Sequence, residues 1–306
     1  MVSHEMRLAT RPAPNRGWSG WLTRITPASR FYWFRVLTEN KTAFVSGVFV
    51  VAVILLALIG PILATTDPTY VDPVNRLKSP SSNHLFGTDS LGRDIFTRVL
   101  YGARVSLLVG LAVTLSVFAF GSIIGLVAGF YSRLDSILMR LMDGLMAFPS
   151  ILLAIAIMAS LGPRTINVII ALTIVFTPKM ARLSRAMTLS IRGLPYVESA
   201  RAIGARDSTI IWRYIFLNSL SPIIVQCTFT ISYAILTEAS LSFLGAGVPP
   251  ETPTWGNMLQ EGQRLIASAW WLSVFPGSFL FLTLLCLTLF GDGLRDALDP
   301  RLRDLK

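Results

Sequence analysis

The sequence predicts an all-α integral membrane protein of about six transmembrane helices, and three observations carry that prediction. Hydrophobic residues make up 53% of the chain and charged residues only 14%, whereas a soluble domain has about a quarter of its residues charged. Six apolar runs approach or exceed the ~20 residues that a helix needs to cross a bilayer. The Lys and Arg residues lie mostly in alternate connecting segments, as expected of a chain that threads a membrane repeatedly.

The apolar runs fall at 44–64, 106–130, 141–161, 168–188, 220–243 and 272–290, with Pro178 and Lys179 interrupting the fourth. If the N-terminus is inside, the inside segments 1–43, 131–140, 179–219 and 292–306 hold 20 of the 27 Lys and Arg residues. Both termini are therefore expected in the cytoplasm. The formal charge of +10 then has a topological use, with no nucleic acid required. The chain divides into a cytoplasmic tail (1–43), a transmembrane domain (44–291) and a short cytoplasmic tail (292–306). Within the first tail, "RFYWFRVLTENK" (30–41) mixes basic and aromatic residues as an interfacial helix does. The first ~25 residues, with Pro12, Pro14 and Gly17, are expected to be disordered. A cleaved signal peptide is not expected, because the apolar core begins after roughly forty residues.

Several chemistries find no footing. Cys227 and Cys286 each sit inside an apolar run and read as small hydrophobes, and His4 and His84 are too separated for a metal cluster. None of Lys41, Lys78, Lys179 and Lys306 completes a GxxxxGK[ST] phosphate loop, so any ATP hydrolysis is expected on another chain. HExxH, paired intramembrane aspartates and a Ser/His set are all missing, which argues against a membrane-embedded enzyme.

Within the spans, Gly121, Gly125 and Gly129 recur at i, i+4, i+8 and form a flat face on which another helix can lie closely. Glu238 is the intramembrane charge most in need of explanation. It either lines a pathway near the outer mouth or makes a structural hydrogen bond to a neighbouring helix. Arg133, Asp135, Arg140 and Asp143 are expected to be interfacial anchors. Trp270 and Trp271 suit an interfacial belt. Outside the membrane, Asp89, Arg93, Asp94 and Arg98 precede the second span, and Asp94 and Arg98 at i, i+4 support a short surface helix. That helix either meets an extracytoplasmic partner or packs on the outer mouth.

The polar island "YVESARAIGARDSTIIWRYIFLN" (196–218) interrupts the apolar chain on the expected cytoplasmic side. Pro195 can open a helix, Glu198 falls in its first turn, Gly204 can end it in the left-handed conformation, and Asp207 or Ser208 can cap a second helix. In that second helix Ile211, Trp212, Ile215 and Phe216 share one side and Arg206 and Arg213 the other. Such an elbow either presses into a groove on a soluble partner or rests on the bilayer surface.

The island resembles the EAA loop of ABC importer permeases, E-A-A-x₃-G-x₉-I-x-L-P. Glu198, Ala200 and Gly204 match in register. Ser199 replaces the middle Ala, and Tyr214, Phe216 and Leu217 stand at the Ile, Leu and Pro positions. The missing Pro is expected to blur the exit from the second helix, with Pro222 following. "FGTDSLGRDIFTRVLYGARVSL" (86–107), "MAFPSILLAI" (146–155), "EASLSFLGAG" (238–247), "PTWG" (253–256) and "GDGLRDALDPRLR" (291–303) together resemble the C-type permease subunit of dipeptide/oligopeptide ABC importers.

That resemblance, over roughly 30–303, implies a type I importer permease fold in a prokaryotic inner membrane. It implies a half-pore that pairs with a homologous B-type permease to make about twelve helices. Two ABC ATPase subunits would carry ATP and Mg, this chain would bind no cofactor, and an extracytoplasmic solute-binding protein would deliver the cargo. A coupling loop at 194–218 would engage the ATPases through Glu198, Ala200, Gly204, Ala205, Asp207, Ile211, Trp212 and Ile215. Phe148, Pro149 and Glu238 are pathway or gate candidates, and Asp89, Arg93, Asp94 and Arg98 are contact candidates for the binding protein. Relatives of this type import dipeptides, longer peptides, glutathione, nickel chelates or sugars, so peptide is the family's expectation rather than a reading of side chains. A self-sufficient secondary transporter or channel is the competing reading. It lacks a clear inverted repeat and a convincing set of buried ion ligands.

Overall fold

A computed structural model describes residues 40–63 and 67–298. The expected interfacial helix at 30–41, apart from its last two residues, the expected disorder of the first ~25 residues and the end of the C-terminal tail lie outside them. The described residues are helical, apart from connecting loops and one isolated bridge between Thr88 and Asp94. Five helices are long and apolar enough to cross a membrane, and a bent pair makes a sixth crossing if its two halves form one span.

Helix α1 is Lys41–Leu63, and Asn40 caps it by accepting a hydrogen bond from Ala43 N at 3.3 Å. Helix α2 is Ile95–Phe130, capped by the Asp94 carboxylate, which accepts from Thr97 N at 2.9 Å. Its 36 residues span about 54 Å at 1.5 Å per residue, well beyond the ~30 Å hydrocarbon layer. Asp94 and Arg98 thus begin this long helix; the separate surface helix expected there does not form.

The third run departs further from expectation. It divides into α3 (Ser132–Met146) and α4 (Ser150–Leu161), bent by 92°. Pro149 cannot continue a helix and restricts the residue before it, so the chain breaks at Phe148–Pro149. The polarity of Arg133, Asp135, Arg140 and Asp143 keeps α3 amphipathic rather than uniformly apolar. The 12 residues of α4 reach only about 18 Å, so neither half can cross alone.

Helix α5, Thr165–Ile191, runs through Pro178 and Lys179 without interruption. It lies on the glycine face of α2. A Cβ on Gly121 would sit 2.6 Å from Met180 Cβ, and one on Gly129 would sit 2.5 Å from Thr188 Cβ. The flat face expected from the i, i+4, i+8 spacing is therefore the α2–α5 seam.

After the short helix α6 (Pro195–Ala202), α7 is continuous from Asp207 to Phe243. Within α7, Ile210–Phe216 form a π-helical stretch that passes directly into Leu217–Phe243. The blurred exit expected at Leu217 is no exit at all: Leu217 lacks the ring that would break a helix there. Helices α8 (Trp255–Leu265) and α9 (Trp271–Leu298) complete the described chain.

Two cores hold the bundle. One joins α1, α2, α7, α8 and α9 around Val53, Val99, Ile235, Trp255 and Leu272, and the other joins α2, α4, α5 and α7 around Val113, Ala154, Leu172 and Ile223. Trp255 of the "PTWG" segment is fully buried and donates from Nε1 to Val99 O at 3.2 Å. Trp271 is likewise buried, with Nε1 donating to Thr88 O at 3.1 Å. Only Trp270 of the expected belt pair is exposed.

Candidate coupling elbow and pathway surface

The elbow is built by local backbone chemistry. Leu194 is the N-cap of α6 and Pro195 its first residue, where a missing N–H costs nothing. Glu198 stands in the first turn, favoured by the helix dipole. At the other end Gly204 adopts φ +83°. Ala205 N donates to Ala200 O at 3.0 Å and Gly204 N donates to Arg201 O at 3.0 Å, which together make a Schellman motif. Space around Gly204 is open, so glycine is required there by the backbone angle and not by crowding.

The second half begins differently from expectation. Arg206 occupies the N-cap without a side-chain hydrogen bond, so neither Asp207 nor Ser208 caps the helix. Asp207 instead accepts from Tyr131 Oη at 3.3 Å, which ties the elbow to the end of α2. Desolvation first, and the Asp207 carboxylate second, hold the Tyr131 phenol above its usual pKa. Arg192 Nη1 donates to Gly129 O at 2.8 Å and satisfies one of the carbonyls at the end of α2. The Arg201 guanidinium lies 5.8 Å from the centre of the Phe130 ring.

A separate apolar cluster anchors the elbow. It contains Leu126 of α2, Ile191 of α5, Val197 of α6, and Ile210, Ile211 and Ile215 of α7. Ile211 and Ile215 were expected to fill a partner's groove, but they are spent holding the elbow to its own bundle. The cause is the π-helical turn and the closeness of α6, which put this face inward. Ala200 is also buried and Ala205 half-buried. What projects outward is Glu198, Asp207, Trp212 (51% exposed) and Ile203 (84% exposed). Ile203 was missed in the sequence. Its signal was a large apolar residue immediately before the glycine that ends α6.

The far end of the bundle reverses this pattern. Asp89, Arg93, Asp94 and Arg98 turn inward. The Asp89 carboxylate is fully buried and accepts from Leu91 N and Arg93 N, each at 2.9 Å, and from Arg93 Nε at 2.5 Å. Arg98, also buried, approaches Asp89 from Nε at 3.7 Å and donates from Nη1 to Pro68 O at 3.2 Å. Glu261 of α8 closes the cluster, meeting Arg93 Nη2 at 3.3 Å and Ser90 N at 3.0 Å. Asp94 is the cap of α2, and His84 Nδ1 lies 3.1 Å from its Oδ1. Asp89 and Arg98, offered as contact residues, are buried here and knot the loop. Glu261 was overlooked because nothing local joins residues so far apart in sequence.

Glu238 also turns inward. It is fully buried, with Ser106 Oγ donating to Oε2 at 3.0 Å and Ser242 Oγ donating to Oε1 at 2.9 Å. Ser242 Oγ in turn accepts from Val248 N at 3.2 Å. The carboxylate pins α7 to α2 and to the loop after α7, the kind of hydrogen bonding that the structural alternative calls for.

The bend at Phe148–Pro149 faces a cavity of about 230 Å³ lined by Phe148, Ser150, Lys179, Gln226, Thr230 and Tyr233, among others. Asp143 and Asp135 do more than anchor α3 at an interface. Arg182 Nη2 donates to Asp143 Oδ1 at 2.6 Å, and Arg185 holds Asp135 in both oxygens at 2.5 and 2.6 Å. These pairs fasten α3 to α5 below the bend.

Residues 121–304 match the family described as binding-protein-dependent transport system inner membrane component, and residues 31–80 match the N-terminal transmembrane domain of oligopeptide transport permease C. The dipeptide transport system permease protein DppC of Alkalihalophilus pseudofirmus is 45% identical over 88% of this chain and 89% of its own length. The glutathione transport system permease protein GsiD of Pectobacterium atrosepticum is 45% identical over 90% and 91%. The di/tripeptide transport system permease protein DppC of Pseudomonas aeruginosa is 40% identical over 91% and 94%. With its membrane-crossing helices, this chain therefore belongs to the multi-pass inner-membrane permeases of bacterial ABC transport systems, in the peptide-transport branch of that family.

Proposed function

We propose that this chain is one half of the translocation pore of an ATP-driven importer of di- or oligopeptides. It pairs with a homologous B-type permease, takes force from two ABC ATPase subunits and receives cargo from an extracytoplasmic solute-binding protein. Both termini and the elbow lie in the cytoplasm, in keeping with the distribution of Lys and Arg. ATP and Mg are held by the ATPases. This chain does no chemistry of its own and transmits movement.

One observation carries the coupling role: the elbow has an anchored base and a free tip. Movement of a partner reaches a membrane helix only through an element that is stiff at its root. Ile210, Ile211 and Ile215 provide that root, and α7 continues from them into the membrane without a joint. Glu198, Ile203 and Trp212 form the exposed tip. Glu198 suits a basic partner residue, and Ile203 with Trp212 suits an apolar groove.

The test is reconstitution of the four kinds of subunit in proteoliposomes with labelled Ala-Ala outside the pore. Uptake is expected only with ATP and all partners present. Glu198→Lys is expected to leave the complex assembled and its ATPase active while uptake falls at least tenfold. Gly204→Pro, which cannot adopt a positive φ, is expected to do the same. Normal uptake by Glu198→Lys would remove the elbow from the coupling path. Uptake by this chain alone would favour a self-sufficient transporter.

A further inference from the structure

Three cations follow one another along α5: Lys179, Arg182 and Arg185 at i, i+3 and i+6. Arg182 and Arg185 have carboxylate partners on α3, Asp143 and Asp135. Lys179 has no carboxylate partner among the described residues. It stands near the midpoint of the 27-residue helix Thr165–Ile191, in the apolar run 168–188 that it was expected to interrupt. An ammonium on a helix long and apolar enough to cross a membrane is costly where it meets lipid, and favours water, a partner or a ligand.

Lys179 is exposed and lines the cavity at the bend of α3 and α4. Its Nζ lies 5.1 Å from the centre of the Tyr233 ring, a cation–π contact that positions the ammonium without neutralising it. Gln226, Thr230 and Ser150 line the same cavity. Amide and hydroxyl groups of this kind can meet the N–H and C=O groups of a peptide. At about 230 Å³ the cavity falls short of the ~300–1,000 Å³ of a complete ligand pocket. That is what half a site would offer if a second permease supplied the other wall.

We propose that Lys179 is a cargo-reading residue: its ammonium holds a carboxylate of the passing solute against the cavity formed by Tyr233, Gln226 and Thr230. This rests on the pore reading above. The carboxylate can be the C-terminus of a peptide or an acidic side chain, and the two sources are separable by experiment.

The complete transporter, in proteoliposomes with saturating binding protein, is assayed for ATP-driven uptake of labelled Ala-Ala, Ala-Glu and Ala-Lys. Lys179→Gln is expected to lower uptake about tenfold, the worth of one charge-assisted hydrogen bond, with the subunits still co-purifying in their normal ratio. Lys179→Arg is expected to retain uptake. An equal loss for all three peptides assigns the C-terminal carboxylate, and a loss confined to Ala-Glu assigns the side chain. Lys179→Glu is expected to shift the Ala-Lys to Ala-Glu ratio at least tenfold toward Ala-Lys if the side chain is read. Unchanged uptake of all three peptides by Lys179→Gln, beside an active wild type, overturns the inference alone. Loss of co-purification also overturns it, because the lysine would then belong to a subunit interface. Failure of the wild type to take up any of the peptides overturns the peptide-pore reading, and this inference with it.

Discussion

Two charged segments of the chain, at 86–98 and at 194–213, are treated by the fold in opposite ways. In the first, the charges face inward: Asp89 and Arg98 are buried, and Arg93 bridges to Glu261. In the second, Val197, Ile210 and Ile211 face inward and Glu198, Arg201, Arg206 and Arg213 remain exposed. The two segments look equally motif-like in sequence. The difference teaches that a charged motif in a membrane protein can be either a fastening or a contact, and that burial separates the two.

The largest effect should come from the inward knot. Asp89→Ala leaves buried Arg98 without its carboxylate and Arg93 with Glu261 alone. Breaking a buried pair on one side costs about 3–5 kcal/mol, because the surviving charge stays uncompensated. The expected outcome is a marked fall in the thermal midpoint of the purified complex and low yield in the membrane, whatever cargo is supplied. If the variant accumulates at normal levels with an unchanged midpoint, and only binding-protein stimulation is lost, then Asp89 is a contact after all and the contrast between the segments fails.

A smaller loss of the same kind is expected at the root of the elbow. Ile215→Ala removes a fully buried side chain from the cluster of Leu126, Ile191 and Val197. Truncations of this type cost about 2–4 kcal/mol, depending on how far the surroundings collapse. Thermal unfolding should show the loss, and hydrogen exchange should show faster opening of 195–216 than of the α2–α5 seam. Equal protection in both regions would mean that the elbow has no separate anchorage.

Much of this arrangement was legible in the sequence. Five of the six apolar runs fell on membrane-length helices, and the spacing of Gly121, Gly125 and Gly129 announced a close helix seam whose partner proved to be α5. Pro195 and Gly204 bounded α6 because they act through their own backbone angles. What stayed hidden depends on distant residues. The knot around Arg93 is completed by Glu261 on α8, and the inward turn of Ile211 and Ile215 goes with Val197 and the π-helical stretch. Pro149 was visible, but averaged hydropathy across 141–161 masked the bend it makes. Lys179 was expected to interrupt its span, because a cation in an apolar run gives no sign in sequence that the helix faces a cavity there.

The finest test separates Trp212 from its neighbour in sequence. Ile211 and Trp212 are adjacent, yet Ile211 is buried and Trp212 half-exposed at 51%. The Trp212 ring meets the Phe216 ring edge-on at 5.1 Å and otherwise looks outward. Trp212→Ala should therefore change stability by no more than about 0.5 kcal/mol, as surface substitutions usually do. If the exposed tip of the elbow is what a motor subunit grips, the same variant should lose several-fold in ATP-driven uptake, since large aromatic anchors dominate interface energies. Measuring the thermal midpoint and the uptake on one preparation decides the matter. A stable variant with impaired uptake marks the outward face as a contact, whereas a variant that loses both together would make Trp212 one more fastening and erase the distinction between the elbow's tip and its root.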